Sequence, residues 1–204
     1  MNFSLGTLPF LANRKTPSAP LKLSHTEPDA IRKLSEKLAA VFAAVSPARP
    51  IVAVCVGTDR STGDALGPIV GSQLAKHASL PVFGTLDEPV HAVNLAERLS
   101  AIYDEYRNPY ILAVDACLGQ LSSVGSIHAG EGPVRPGAGV NKELPPVGDY
   151  HVTGVVNVGG FMEYFVLQNT RLSLVFNMAE VISESIRIAA QQHFSAFRVS
   201  NSGD

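Results

Sequence analysis

The stretch IVAVCVGTDRSTGDALGPIVGSQLA, residues 51–75, decides the fold class. Its first six residues are continuously apolar and mostly β-branched, which is typical of a central strand buried on both faces of a parallel sheet. A glycine-containing turn follows, and an apolar, helix-like segment begins at Leu66. A strand, a turn and a helix in this order predict the first part of a βαβ unit.

The same alternation of patterns continues on both sides of this stretch. Helical periodicity is found over residues 27–45, 91–106 and 170–194, and strand-like runs are found over 80–85, 110–116 and 150–159. Residues 123–130 predict an edge strand. The pattern as a whole predicts an α/β fold, a three-layer α/β/α sandwich with a mainly parallel, mixed central sheet.

The ends of the chain predict one domain with an N-terminal extension. Three prolines interrupt residues 1–27, which show no lasting periodicity, so a flexible N-terminal arm is predicted there. Residues 28–204 are predicted to form a single α/β/α domain, since a chain of this size buries one core.

Composition narrows the classes of function. The formal net charge of −2, without blocks of like charge, argues against nucleic-acid binding. No apolar run approaches the roughly 18 residues of a membrane span. Two cysteines do not make a disulfide framework, and the N-terminus lacks the basic region of a signal peptide, so a cytoplasmic protein is predicted.

Two acids occupy matching positions after apolar strands. Asp64 lies in the loop after the first predicted strand, and Asp115 closes the run YILAVDA. Ligands bind beyond the carboxyl ends of parallel strands, so neighbouring strands would bring both carboxylates into one crevice. The pair could share one proton around a water molecule, or both could stay ionised and hold a divalent metal. Taken singly, Asp64 could be a helix cap and Asp115 a turn residue.

Further candidates surround a loop rich in glycine and proline at residues 130–148. Long loops of this kind in compact domains are often functional. His128 and His151 flank it and are the candidates for a third metal ligand, although a lone histidine more often has a structural role. Lys142 could orient a carboxylate or a substrate carbonyl. Cys117 is interpreted as a small buried residue rather than a nucleophile.

Several segments resemble the YyaC-type sporulation proteins of spore-forming bacteria. They are GDALGP, AVDACLG, RPGAGVNKELPPVGD and VVNVGGFMEYFVLQNTRLSLVFNMAEVI, and the resemblance covers about residues 28–192. That family is similar in turn to the germination protease of spores and shares a fold with the maturation proteases of nickel-iron hydrogenases.

The resemblance implies a hydrogenase-maturation-protease-like fold and an atypical aspartic endopeptidase with Asp64 and Asp115 as catalytic residues. It places the segment 136–142 beside the site, with Gly137, Gly139, Asn141 and Lys142 as substrate-binding residues. The implied substrate is a protein or peptide, such as the small acid-soluble spore proteins, in the cytoplasm of the forespore. No histidine matches the third nickel ligand of the hydrogenase enzymes, so no metal or other cofactor is predicted.

Two functions from different classes follow. The first is a sporulation-linked peptidase that hydrolyses peptide bonds with the aspartate pair. The alternative is a non-catalytic assembly or regulatory protein of sporulation, built on a protease fold and keeping the acids as structural caps. A metal-dependent peptidase or metal chaperone is a third hypothesis, and periodicity leaves a homo-oligomer open.

Overall fold

The computed structural model describes residues 19–77, 79–137 and 144–201. Within them, a six-stranded mixed sheet is flanked by helices on both faces, which confirms the predicted α/β class. The strands are β1 Leu21–Ser24, β2 Ile51–Cys55, β3 Val82–Phe83, β4 Tyr110–Gly119, β5 Ser126–Glu131 and β6 Tyr150–Val158. The helices are α1 Ala30–Ala44, α2 Leu66–His77, α3 Leu95–Glu105, α4 Glu163–Gln168 and α5 Leu172–Asn201.

The sheet has the order β1-β5-β6-β4-β2-β3. Strands β3, β2, β4 and β6 are parallel neighbours, whereas β5 is antiparallel to β6 and β1 is antiparallel to β5. Parallel strands need crossover connections, and helices α2 and α3 provide them for β2, β3 and β4. Strands β2 and β4 are therefore direct neighbours, as a shared crevice at their carboxyl ends requires.

Two apolar clusters hold the layers together. The larger lies between the sheet and helices α1, α2 and α5, and contains fully buried side chains such as Phe42, Leu112 and Met178. The smaller lies on the opposite face, where α3 and the ends of the 130–148 loop cover Val54 and Ala113. Alternate residues of β4 point to different faces. Leu112 and Val114 therefore face the larger cluster, and Asp115 faces the side of the smaller one.

Two predictions about the first and fifth strands were wrong. Residues 21–24, assigned to the flexible arm, form β1 and pair with residues 126–129 of β5. As a result β5 is an internal strand between β1 and β6, and not the edge strand predicted for residues 123–130. The folded part of the chain thus begins before residue 28.

Candidate functional site

The loop between β2 and α2 carries the first acid. Gly57 has a φ of 146°, and a Cβ added there would meet the carbonyl oxygen of Asp64 and lie 2.8 Å from Cδ of Pro68. The N–H of Thr58 donates to that same carbonyl oxygen at 3.2 Å. The loop therefore folds back on itself only because residue 57 is a glycine. Asp64 is held just before the first turn of α2, at the carboxyl edge of the sheet.

Asp115 lies within β4 and not at its end. Strand β2 pairs with β4 only as far as Cys55 and Val114, so the next residue of β4 stands where the neighbouring strand has ended. Strand β4 continues to Gly119 because these later residues pair with β6. Asp115 thus lies just beyond the point where β2 ends beside the longer β4. This is the carboxyl edge of the sheet, where the loop of Asp64 also lies.

The charge of Asp64 acts on the carboxyl group of Asp115, and the two residues are called the acid pair below. Burial raises the pKa of Asp115 to about 8, opposed by a hydrogen bond from the N–H of Ala116 (2.9 Å) and supported by the charge of Asp64. Burial also raises the pKa of Asp64, opposed by the hydroxyl of Ser61. The Ser61 Oγ atom is itself buried, and no hydrogen bond of ordinary geometry joins it to any described residue. Burial and the charge of Asp64 thus both favour the protonated form of Asp115, whose pKa is raised further than that of Asp64.

The simpler interpretation of Asp64 as a helix cap has little support. A cap accepts a hydrogen bond from a backbone N–H of the first helical turn, and this lowers its pKa. Among the described residues, no backbone group lowers the pKa of Asp64, which burial raises instead. Asp115 is likewise not a turn residue, since it pairs with Thr153 inside the sheet.

Three further side chains share the face of Asp115. Thr153 lies opposite Asp115 on β6, and His128 lies opposite Thr153 on β5. Cys117 is two residues along β4, and its pKa is raised by burial, lowered by the Thr153 hydroxyl and raised by the Asp115 charge. A raised pKa leaves the thiol protonated, which fits the predicted role of a buried, unreactive cysteine.

The two histidines proposed as metal ligands are some distance from the acid pair. His128 stands two strands away from Asp115, roughly 10 Å at ordinary strand spacing. Its pKa is lowered by burial and by the nearby Lys22 and His151, and the Nδ1 atom of His151 is 3.0 Å from the carbonyl oxygen of Gly132. Among the described residues, no three histidine, cysteine or acidic side chains are grouped to hold a metal ion.

The structure describes only part of the predicted substrate-binding loop. Val134 and Val147 form an antiparallel bridge with hydrogen bonds of 2.9 and 3.0 Å, and both pack on the face that carries Asp115. Gly137 adopts a φ of 87°, which favours glycine. Gly139, Asn141 and Lys142 lie outside the described residues, so the role of these four residues stays a prediction.

An exposed apolar segment adjoins the acid pair, and sequence patterns did not reveal its role. We call it the apolar rim: residues Phe161, Met162, Tyr164 and Phe165, which are 50–87% exposed. The N–H of Gly63 donates to the carbonyl oxygen of Leu167 at 2.9 Å, which ties α4 to the loop of Asp64. The amide of Asn157 joins the end of β6 to Val166 and Thr170. The rim is thus fixed beside the acids.

The fold and site define an α/β protein with paired acids at the carboxyl edge of a mixed sheet. The family described as "Protein of unknown function (DUF1256)" matches residues 22–185, and the chain belongs to that family. It is 52% identical over 168 residues to the "Uncharacterized protein YyaC" of Bacillus subtilis (strain 168). That alignment covers 81% of this chain and 82% of the relative, so the YyaC-type resemblance is confirmed. No described helix is both long and apolar enough to cross a bilayer.

Proposed function

We propose that this protein is a sporulation-linked peptidase that uses Asp64 and Asp115 to hydrolyse peptide bonds. The observation that carries the proposal is the shared position of the acid pair at the carboxyl edge, with the pKa of Asp115 raised to about 8 partly by the charge of Asp64. Carboxyl groups with strongly shifted pKa values beside a second acid are typical of acid–base catalytic sites. The proposal extends to a hydrogenase-maturation-protease-like fold and a place in the forespore cytoplasm.

The larger rise in the pKa of Asp115 is the basis on which we assign the catalytic roles of the two acids. Asp64, as carboxylate, accepts a proton from a water molecule whose oxygen attacks the carbonyl carbon of the peptide bond. Asp115, as carboxylic acid, donates its proton to the amide nitrogen, and the carbon–nitrogen bond then breaks. The proton that Asp64 has gained returns to Asp115 through the shared site, so the pair ends each cycle as it began.

The apolar rim supports a polypeptide as the substrate. Contiguous exposed apolar side chains usually mark a surface that contacts another molecule. Phe161 is 87% exposed, and the rim is joined through Leu167 to the loop of Asp64. An extended peptide whose scissile bond lies at the acids would lay neighbouring apolar side chains on this rim. Small acid-soluble spore proteins are the substrates that we propose to test first.

A digestion assay tests the catalytic role of the acid pair. Wild-type protein is incubated with small acid-soluble spore proteins and spore-coat proteins, and fragments are identified by mass spectrometry. We expect Asp64→Asn and Asp115→Asn each to lower the cleavage rate at least a hundredfold, because each removes one proton-transfer partner. Asp59→Asn is the matched control, since Asp59 is an exposed acid of the same loop. Cleavage that persists in both acid variants would exclude this mechanism.

The rate should also depend on pH in a definite direction. Because Asp115 must be protonated and its pKa is about 8, kcat/KM should decline as the pH rises through that value. A rate that increases through this range would contradict the role of Asp115 as the acid.

The apolar rim gives a separate prediction about substrate binding. The double variant Phe161→Ser, Phe165→Ser should raise KM about tenfold or more with little change in kcat, because it removes apolar contacts remote from the bond that breaks. Its melting temperature should stay within a few degrees of the wild type, since both side chains are exposed. Leu121→Ser is the control, because Leu121 is equally exposed but lies outside the rim.

The same rim also favours the non-catalytic alternative, in which it docks a partner protein. In that case the wild type yields no fragments from any of these proteins, whereas it binds one of them in a pull-down experiment. Loss of that binding in the double rim variant, with binding retained in both acid variants, would establish docking without catalysis.

A further inference from the structure

A cleft at the opposite edge of the sheet contains a second group of polar side chains. Its volume is about 480 Å³, and it lies between the C-terminal end of α1 and the first residues of β4 and β6. Tyr110 in this cleft lies five positions before Asp115 on β4, about 16 Å along the strand. We call it the amino-edge cleft, and its walls include Val41, Val45, Arg49, Tyr110, Glu131 and Tyr150.

Two neutral phenols stand side by side in the amino-edge cleft. Tyr150 is completely buried, yet its hydroxyl has no hydrogen-bond partner among the described residues. Burial, assisted by Tyr110 and Glu131, raises the pKa of Tyr150 to about 12, so its hydroxyl keeps its proton, and all three residues line the same cleft. A buried phenol without a partner costs roughly 1–3 kcal/mol. A ligand that accepts its hydrogen bond would remove that cost.

A fixed guanidinium group provides positive charge in the same cleft. Arg49 donates through Nε to the carbonyl oxygen of Asn108 (3.2 Å), and through Nη2 to that of Pro109 (2.8 Å) and to Asp149 Oδ1 (3.0 Å). Its central carbon lies 5.2 Å from the centre of the Tyr110 ring. These contacts hold the guanidinium in place, and within the described residues its Nη1 atom donates to no acceptor. Its Nη2 side is already paired with Asp149, which also lines the cleft, and its Nη1 side is preorganised for a second carboxylate.

Negative charge and apolar surface complete the cleft. Glu131 is the cross-strand neighbour of Tyr150, and its side chain is exposed to solvent. Val41 and Val45, one turn apart on α1 and its C-cap, form the apolar wall. A cation site, an anion site and an apolar wall within one cleft fit a ligand that carries both charges and an apolar chain.

We propose that the amino-edge cleft binds a small zwitterion of the α-amino acid type with an apolar side chain. The carboxylate of the ligand accepts hydrogen bonds from Arg49 Nη1 and the Tyr150 hydroxyl, and its ammonium group faces Glu131. Its side chain packs on Val41 and Val45. The ligand site is independent of the acid pair, which lies at the other edge and on the other face of the sheet.

Calorimetric titration of the full chain with L-leucine tests the proposal. We expect saturable binding with a Kd in the millimolar range or below. N-acetyl-L-leucine lacks the ammonium group and L-leucinamide lacks the carboxylate, so each should bind at least tenfold more weakly. No saturable binding of L-leucine up to about 10 mM, beyond the range of weak specific binding, would overturn the proposal. So would equal binding of all three compounds.

One variant and two controls test whether the ligand binds in the amino-edge cleft. Tyr150→Phe should weaken L-leucine binding about tenfold by removing one hydrogen bond to a charged group, without lowering the melting temperature. Tyr103→Phe, on the exposed surface of α3, should bind as the wild type does. Asp115→Asn should also bind normally, which separates this result from that of the digestion assay. Unchanged binding in Tyr150→Phe would overturn the assignment to this cleft.

Discussion

Asp115→Asn should make the protein more stable at pH 8, by an amount on the order of 2–4 kcal/mol. The folded state holds the proton of Asp115 up to a pKa of about 8, whereas the unfolded chain releases it near the ordinary value of 3.8. The folded state therefore binds more protons across that window, and the free energy of unfolding of the wild type falls as the pH rises through it. Asparagine removes this dependence because it has no proton to lose.

Equilibrium denaturation between about pH 4 and pH 8.5 measures the effect. The curves of the wild type and Asp115→Asn should nearly coincide at the acidic end and separate progressively towards pH 8. Asp104→Asn, at an exposed position of α3, should follow the wild type throughout. If Asp115→Asn is destabilised equally at every pH, the carboxyl group is structural, and the basis for the acid pair as a catalytic site is lost.

Gly57→Ala should be the most damaging of the small substitutions in the β2–α2 loop. The left-handed backbone at this position alone costs an alanine about 1–3 kcal/mol. The added methyl group would also collide with the carbonyl oxygen of Asp64, which must move for the chain to fold. We expect the free energy of unfolding to fall by about 3–5 kcal/mol in total, with the cleavage activity lost in whatever protein still folds.

Gly160 provides a closely matched control for this substitution. Its φ of 137° is near the 146° of Gly57, but a Cβ added at Gly160 meets no atom within 4 Å. Gly160→Ala should therefore show the backbone cost alone, about 1–3 kcal/mol. Comparison of the two variants by chemical denaturation isolates the collision with Asp64. An equal loss of unfolding free energy in Gly57→Ala and Gly160→Ala would show that the β2–α2 loop adjusts easily to the added methyl group and does not hold Asp64 in one position.

The central strands could be predicted from sequence because burial on both faces leaves a continuous apolar run, as at Ile51–Cys55. Strand β1 could not, since LKLS follows Pro20 with only two apolar residues and gains its hydrogen bonds from β5, about 100 residues away. The edge assignment of β5 was wrong for the same reason. The polar residues of β5 lie on a face of the sheet that is only partly buried. The residues of β5 themselves give no sign that β1 pairs with the strand on its other side.

The acid pair was predictable in principle, because both acids follow continuous apolar runs of parallel strands, and the carboxyl ends of such runs share one edge of a sheet. The neighbours of the pair were not. Thr153 comes opposite Asp115 only through the register between β4 and β6. The apolar rim has the composition of an ordinary amphipathic segment, and its position beside the acids is set by the long-range hydrogen bond between Gly63 and Leu167. Long-range geometry of this kind leaves no local pattern.

The brevity of the two outermost strands bears on how copies of this protein could assemble. Strand β3 has two residues and β1 has four, and Lys22 adds a charge to the latter. A second chain that tried to extend the sheet would gain few backbone hydrogen bonds and would meet that charge, which is a recognised protection against edge-to-edge aggregation. Edge-to-edge association of the folded domain is therefore disfavoured, and the protein should remain free of fibrils at concentrations where long exposed edge strands would pair.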